Sequence, residues 1–200
     1  MSDTPKKSLS RRNFLRGTGL ATAGLATAPA GLLANVTADA PPVILTADEG
    51  TVTLRVNGQT HTIVARPDET LVEALRNRLD LTGTKLVCGR GACSACTVLI
   101  DGQPVCSCLT LAVEAQDGEI TTIEGLADGD ELTPVQEAFI EEDAAMCGYC
   151  TPGMVMSCTA LLDRNPDPTL EEVKQAVRGN LCRCGTYPHV FKAALRAAKA

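Results

Sequence analysis

The placement of ten cysteines constrains this 200-residue chain more than any other feature. Cys88, Cys93 and Cys96 form a C-x4-C-x2-C run with Cys106 and Cys108 downstream, while Cys147 and Cys150 form a CxxC answered by a distant CxC, Cys182 and Cys184. The first run, completed by a more distant cysteine, has the spacing that wraps a two-iron, two-sulfide cluster in a tight loop, and soft thiolates suit iron. Gly89, Gly91, Ala92, Ser94 and Ala95 are all small, so backbone N–H groups can approach cluster sulfur and raise its reduction potential. The pattern predicts two 2Fe-2S clusters and a role in moving electrons.

Three blander readings compete: a disulfide framework, a pair of zinc sites, and buried unpaired cysteines. A bridge between neighbours as close as Cys182 and Cys184 would be strained, and a chain of this length can build a core without staples. Zinc favours paired CxxC knuckles, which a C-x4-C-x2-C loop does not supply.

Disulfides compete at all because the N-terminus reads as an export signal. Ser10, Arg11, Arg12, Asn13, Phe14, Leu15 and Arg16 have the form of a twin-arginine motif, followed by a mild Gly/Ala/Thr/Leu stretch to about Ala34. Small residues offer cleavage after Ala30 or Ala38, so residues 1–40 are expected to be signal peptide and linker. The stretch is too rich in Gly and Thr for a stable membrane span. The twin-arginine route carries folded proteins, which suits clusters inserted in the cytoplasm, and it predicts a periplasmic location.

Charge divides in the same way. Residues 1–40 hold five Lys/Arg and two Asp/Glu, leaving 13 against 22 and a net charge of −9 on the remainder. Nucleic acid is therefore not an expected partner, and the chain has no Trp to stack on bases. His61 and His189 are the only histidines, and both read as surface or packing residues rather than catalysts.

Residues 50–125 read as one domain. Val52, Leu54 and Val56 alternate with polar residues, Asn57-Gly58 signals a hairpin, and Thr60 to Val64 returns. Thr70 with Glu73 forms a capping box opening a helix with Leu71, Leu75 and Leu79 on one face. After the first cysteine loop, Thr97–Ile100, the Asp101-Gly102 turn and Val105–Leu109 predict a second hairpin, with Glu119–Ile123 completing the sheet. Cys106 and Cys108 would then share a strand face, so geometry alone does not choose between them as the fourth ligand. Residues 126–200 read as helical, with starts at Thr133-Pro134, Thr151-Pro152 and Thr169, and a last helix over 190–198. Cys147 and Cys150 precede one helix start, where the positive end favours thiolates, and Cys182 and Cys184 follow the end of another. Cys158 reads as a small buried hydrophobe.

In combination, the Cys88–Cys96 loop, Cys147-Gly148-Tyr149-Cys150-Thr151-Pro152-Gly153 and Gly179-Asn180-Leu181-Cys182-Arg183-Cys184-Gly185 resemble the small iron-sulfur subunits of the xanthine oxidase family of molybdenum hydroxylases. The resemblance covers residues 51 to about 195. It implies an α+β fold, with an N-terminal β-grasp, plant-type ferredoxin domain carrying the more exposed cluster and a C-terminal four-helix 2Fe-2S-binding domain carrying a buried one. It selects Cys108 over Cys106, giving Cys88, Cys93, Cys96 and Cys108 for one cluster and Cys147, Cys150, Cys182 and Cys184 for the other. It further implies a separate molybdopterin-binding large subunit that holds the substrate, and electrons passing through both clusters to an FAD-binding subunit or a cytochrome c. Export makes periplasmic aldehyde oxidoreductases and isoquinoline 1-oxidoreductases the nearest types. A free-standing periplasmic electron carrier and an exported disulfide module are the rivals. Two departures from the family pattern stand out: Met146 where Gln commonly reaches the pterin, and Ser94 where Gly is usual, its hydroxyl expected to face solvent.

Overall fold

A computed structural model describes residues 49–200, and the twin-arginine motif lies outside them. Two antiparallel hairpins flank a short central strand. Strands β1 (Gly50–Val56) and β2 (Gln59–Ala65) pair through Asn57-Gly58, whose φ values of 51° and 73° give the twist-matched two-residue turn. Strands β3 (Thr97–Ile100) and β4 (Gln103–Cys106) turn through Asp101-Gly102 in the same way. Strand β5 (Glu119–Thr121) runs parallel to β1 and antiparallel to β3, giving the sheet order β2-β1-β5-β3-β4.

Helix α1 (Leu71–Asn77) covers this sheet. The Thr70 amide and hydroxyl both donate to Glu73 Oε2, at 3.0 and 2.7 Å, so the predicted cap is present. Leu71 and Leu75 are fully buried with Val52, Leu54, Val56, Val98 and Ile120. Leu79 lies beyond the helix end but still packs on that core.

Four helices follow: α2 (Pro134–Glu141), α3 (Thr151–Arg164), α4 (Leu170–Val177) and α5 (Tyr187–Ala197). Thr133 with Gln136 and Thr169 with Glu172 form reciprocal caps, as their spacing predicts. Helix α5 begins three residues before the expected Val190, because Pro188 near its N-terminus needs no amide partner. The helices enclose Phe139, Met154, Val155, Val173, Val177, Val190 and the fully buried Cys158. The expected α+β architecture is the observed one.

Residues 49–200 lie within one compact unit. Met156 and Ala160 of α3 pack on Leu99 of β3, so the longest helix seats directly on the sheet. Among the described residues no helix is long and apolar enough to cross a membrane.

Candidate iron-sulfur centres

The fold gathers eight thiols into two groups. Cys88 and Cys93 are neighbouring thiols, as are Cys96 and Cys108. The Gly91 amide, in the loop between Cys88 and Cys93, donates to Cys108 Sγ at 3.3 Å and ties the two pairs together. Gly91 needs to be glycine: its φ is 68°, and a Cβ there would strike the Leu109 side chain lying over the loop. In the helical half Cys147 pairs with Cys184 and Cys150 with Cys182.

Two adjacent pairs suit a two-iron centre in which each iron takes two thiolates. All ten cysteines are free thiols, so the disulfide framework is not formed either.

Burial sets the thiol electrostatics. Desolvation pushes Cys96 up to about 12, opposed by the Cys108 amide and reinforced by the Cys108 thiol. It likewise pushes Cys150 up to about 12, so burial outweighs the positive end of α3, which was expected to favour its thiolate. Two other thiols lean the other way: the Arg90 amide, then Cys93, hold Cys88 down at about 6, and the Tyr149 amide lowers Cys147. For Cys182, burial opposes ionisation but is overcome by the Thr186 hydroxyl, 3.1 Å away, and the Thr186 amide, which hold it at about 7. Buried thiols that resist ionisation alone are ionised outright by coordination to a cation, so the donor set fits iron.

The two loops interlock. The Leu181 amide, next to Cys182, donates to the Cys93 carbonyl at 3.0 Å. Asn180, 2% exposed, donates through Nδ2 to the Ser94 carbonyl at 3.0 Å and accepts from the Ser157 hydroxyl at 2.9 Å. Gly153 of α3 lies so close that a Cβ would run into the Ser94 carbonyl oxygen. The Tyr187 hydroxyl donates to the Asn180 carbonyl at 3.0 Å and accepts from the Cys182 amide at 2.9 Å, bracing the CxC segment from α5.

Several expectations change. Strand β4 ends at Cys106, so Cys108 lies past the strand rather than sharing its face; a turn brings both against Cys96 and Val72. Cys182 and Cys184 follow the end of α4 as expected, five and seven residues beyond Val177 in the connection to α5. Ser94 does not simply face solvent: it is half-buried with a φ of 49°, and its hydroxyl sits 3.5 Å from Cys106 Sγ. The order of exposure reverses in the chain by itself, with Cys147 and Cys184 exposed while Cys93, Cys96 and Cys108 are buried. Those outer thiols lie between helix ends at the surface, and Met146, Tyr149 and Leu181, next in sequence to Cys147, Cys150 and Cys182, are exposed as well. His189 Nδ1 meets the Glu142 carbonyl at 2.8 Å and His61 faces Leu54 across the outer hairpin, in keeping with surface roles. Gly153 and Asn180 lie in the motifs that carry the family resemblance and Ser157 carries no sequence signal, but no sequence pattern marks the contact these residues make with the first cysteine loop, because the segments lie so far apart.

Known proteins agree with this geometry. Residues 54–127 match the 2Fe-2S iron-sulfur cluster binding domain and residues 122–195 the [2Fe-2S] binding domain. The chain is 49% identical over 150 residues to the nicotine 6-hydroxylase small subunit of Paenarthrobacter nicotinovorans, covering 75% of this chain and 90% of that one. It is 39% identical over 201 residues to the aldehyde oxidoreductase iron-sulfur-binding subunit PaoA of Escherichia coli O157:H7, covering 93% and 86%. The crystal structure of quinoline 2-oxidoreductase from Pseudomonas putida 86 superposes with a TM-score of 0.74 at 40% identity, over 76% of this chain and 96% of that one. With two cluster-binding domains in this order and relatives of this kind, the chain belongs to the small iron-sulfur subunits of the xanthine oxidase family of molybdenum hydroxylases, as the electron-transfer subunit of an oxidoreductase carrying two 2Fe-2S clusters.

Proposed function

We propose that the chain relays electrons within a periplasmic, aldehyde oxidoreductase-like enzyme, from a molybdopterin-binding large subunit to an FAD-binding subunit or a cytochrome c. Cys147, Cys150, Cys182 and Cys184 hold the cluster that receives electrons from the large subunit, and Cys88, Cys93, Cys96 and Cys108 hold the one that passes them on. Each cluster supplies one-electron chemistry. The protein supplies ligation, fixed spacing and control of water access.

The observation that carries this reading is the direct hydrogen bond from Leu181 to Cys93, which joins the backbones of the two cysteine loops. A carrier with two independent centres would not need that lock. Exposed Cys147 and Cys184, with the exposed apolar side chains of Met146, Tyr149 and Leu181 beside the ligand cysteines in sequence, support a partner seated over the helical-domain cluster, because exposed apolar groups near a cofactor mark a docking surface. The twin-arginine motif supports export of the assembled protein.

The test is a Cys184→Ser complex that retains molybdenum and its β-grasp cluster. Substrate should then reduce molybdenum but not the β-grasp cluster, while dithionite still reduces that cluster from solvent. Substrate-driven bleaching at the wild-type rate would overturn the order. Purification from the native source as an iron-loaded monomer, with no large subunit, would favour the free-standing carrier.

A further inference from the structure

Two side chains lie beside the proposed ligands without belonging to them. Cys106 is the last residue of β4 and packs against Cys96 and Cys108. Ser94 lies inside the cysteine loop, and its hydroxyl reaches only Cys106 Sγ, at 3.5 Å, among the described residues. Ser94 also holds a left-handed φ of 49°, a conformation glycine adopts freely, so the backbone gains nothing from a serine there. The surrounding structure keeps it in place. Its carbonyl accepts from Thr97 Oγ1 at 2.7 Å and Asn180 Nδ2 at 3.0 Å, and a Cβ on Gly179 would stand 3.0 Å from its hydroxyl oxygen. A rigid backbone therefore aims this hydroxyl at one sulfur.

The direction of the hydrogen bond follows from charge. Either atom of the pair can donate, but Cys106 also faces sulfurs that become thiolates when they ligate iron. Its S–H is drawn to that negative charge, which leaves the sulfur lone pairs to accept from Ser94. We propose that Ser94 and Cys106 act as a positioning pair that raises the reduction potential of the β-grasp cluster: Ser94 O–H donates to Cys106 Sγ and turns the Cys106 S–H toward the Cys96 and Cys108 sulfurs. A donor aimed at ligand sulfur stabilises the more negative, reduced cluster. No proton would be exchanged; the S–H donor would bind ligand sulfur more tightly in the reduced cluster than in the oxidised one.

The inference rests on Cys96 and Cys108 being ligands, and iron content separates failure of that assignment from failure of the tuning. Ser94→Gly, Cys106→Ala, Cys106→Ser and the Ser94→Gly/Cys106→Ala double variant are made in the full chain, analysed for iron, and titrated potentiometrically with EPR detection of each cluster. Ser94→Gly and Cys106→Ala should each shift the β-grasp midpoint to lower potential and leave the helical-domain midpoint in place. The double variant should shift no further than Cys106→Ala alone, because the two side chains act in series. Cys106→Ser keeps a donor and should stay near the wild type. An unmoved β-grasp midpoint in either single variant, additive shifts, or equal shifts at both clusters would overturn the proposal. Loss of iron in Cys106→Ala would overturn it as well, by making Cys106 a ligand.

Discussion

Gly153→Ala tests whether the seam between the two cysteine loops is as tight as its geometry states. A Cβ at Gly153 would penetrate the Ser94 carbonyl oxygen and stand 3.2 Å from both the Ala95 Cα and the Ala95 carbonyl oxygen. Every one of these atoms is backbone, so no rotamer change relieves the overlap. On helix propensity alone alanine gains about 1 kcal/mol over glycine. Overpacking against fixed atoms costs about 1–3 kcal/mol. Relief requires α3 to draw back from the loop, and Ser157 of α3, bonded to Asn180, pulls the Asn180–Leu181 segment with it, which stretches the 3.0 Å bonds from Asn180 to Ser94 and from Leu181 to Cys93. Each loss removes about 1 kcal/mol. The steric and hydrogen-bond terms outweigh the propensity gain, and the net destabilisation is about 2–4 kcal/mol. For a domain of this size that lowers the thermal midpoint by about 5–15 °C. Loss of cluster absorbance on heating reads the midpoint, and hydrogen exchange reads the Leu181 amide, which should lose protection. A variant as stable as the wild type, with that amide still protected, would refute the argument that the loops meet through this contact.

Glu69 gives a pH-dependent case. It is 2% exposed and accepts both the Nε and Nη2 bonds of Arg78 at 3.0 Å, and that hydrogen bonding, against the opposing effect of burial, holds its carboxyl below the usual carboxylate range. A depressed folded value means that the contribution is complete above the unfolded carboxylate value of about 4.3 and is lost as pH falls through the folded one. Glu69→Gln should cost about 1–3 kcal/mol at neutral pH and converge with the wild type in acid, as read from urea midpoints across pH 3 to 7; equal deficits at every pH would contradict the ion pair. Iron and sulfide analysis should give about four irons per chain with two distinct EPR signals, and Cys108→Ala should lose the β-grasp signal alone. Retention of that signal in Cys108→Ala would show that the fourth ligand is misassigned. Replacing Arg11 and Arg12 with Lys should hold the protein in the cytoplasm, because the export receptor reads the arginine pair as an address, and undiminished periplasmic enzyme would reject the route.

Local chemistry was legible in the sequence because it depends on near neighbours. The Asn57-Gly58 and Asp101-Gly102 turns, the Thr70, Thr133 and Thr169 caps, and the C-x4-C-x2-C loop each close within a few residues, so their spacing dictates their shape. The cysteine count and pattern likewise predicted two clusters, since ligand number is a property of composition. What the chain did not disclose was how the two loops touch. The end of β4 at Cys106 is set by the turn that carries Cys108 to the loop, not by an apolar alternation that runs on to Leu109. Asn180, Ser157 and Gly153 carry no cluster ligand, yet they fix the Ser94 carbonyl between α3 and the first loop. Ser94 itself reads as an ordinary small polar residue until the fold places Cys106 beside it. Burial follows the same division: the chain shows which thiols are close in sequence, but desolvation depends on what packs above them, so only the tertiary structure leaves Cys147 and Cys184 open while enclosing Cys93, Cys96 and Cys108.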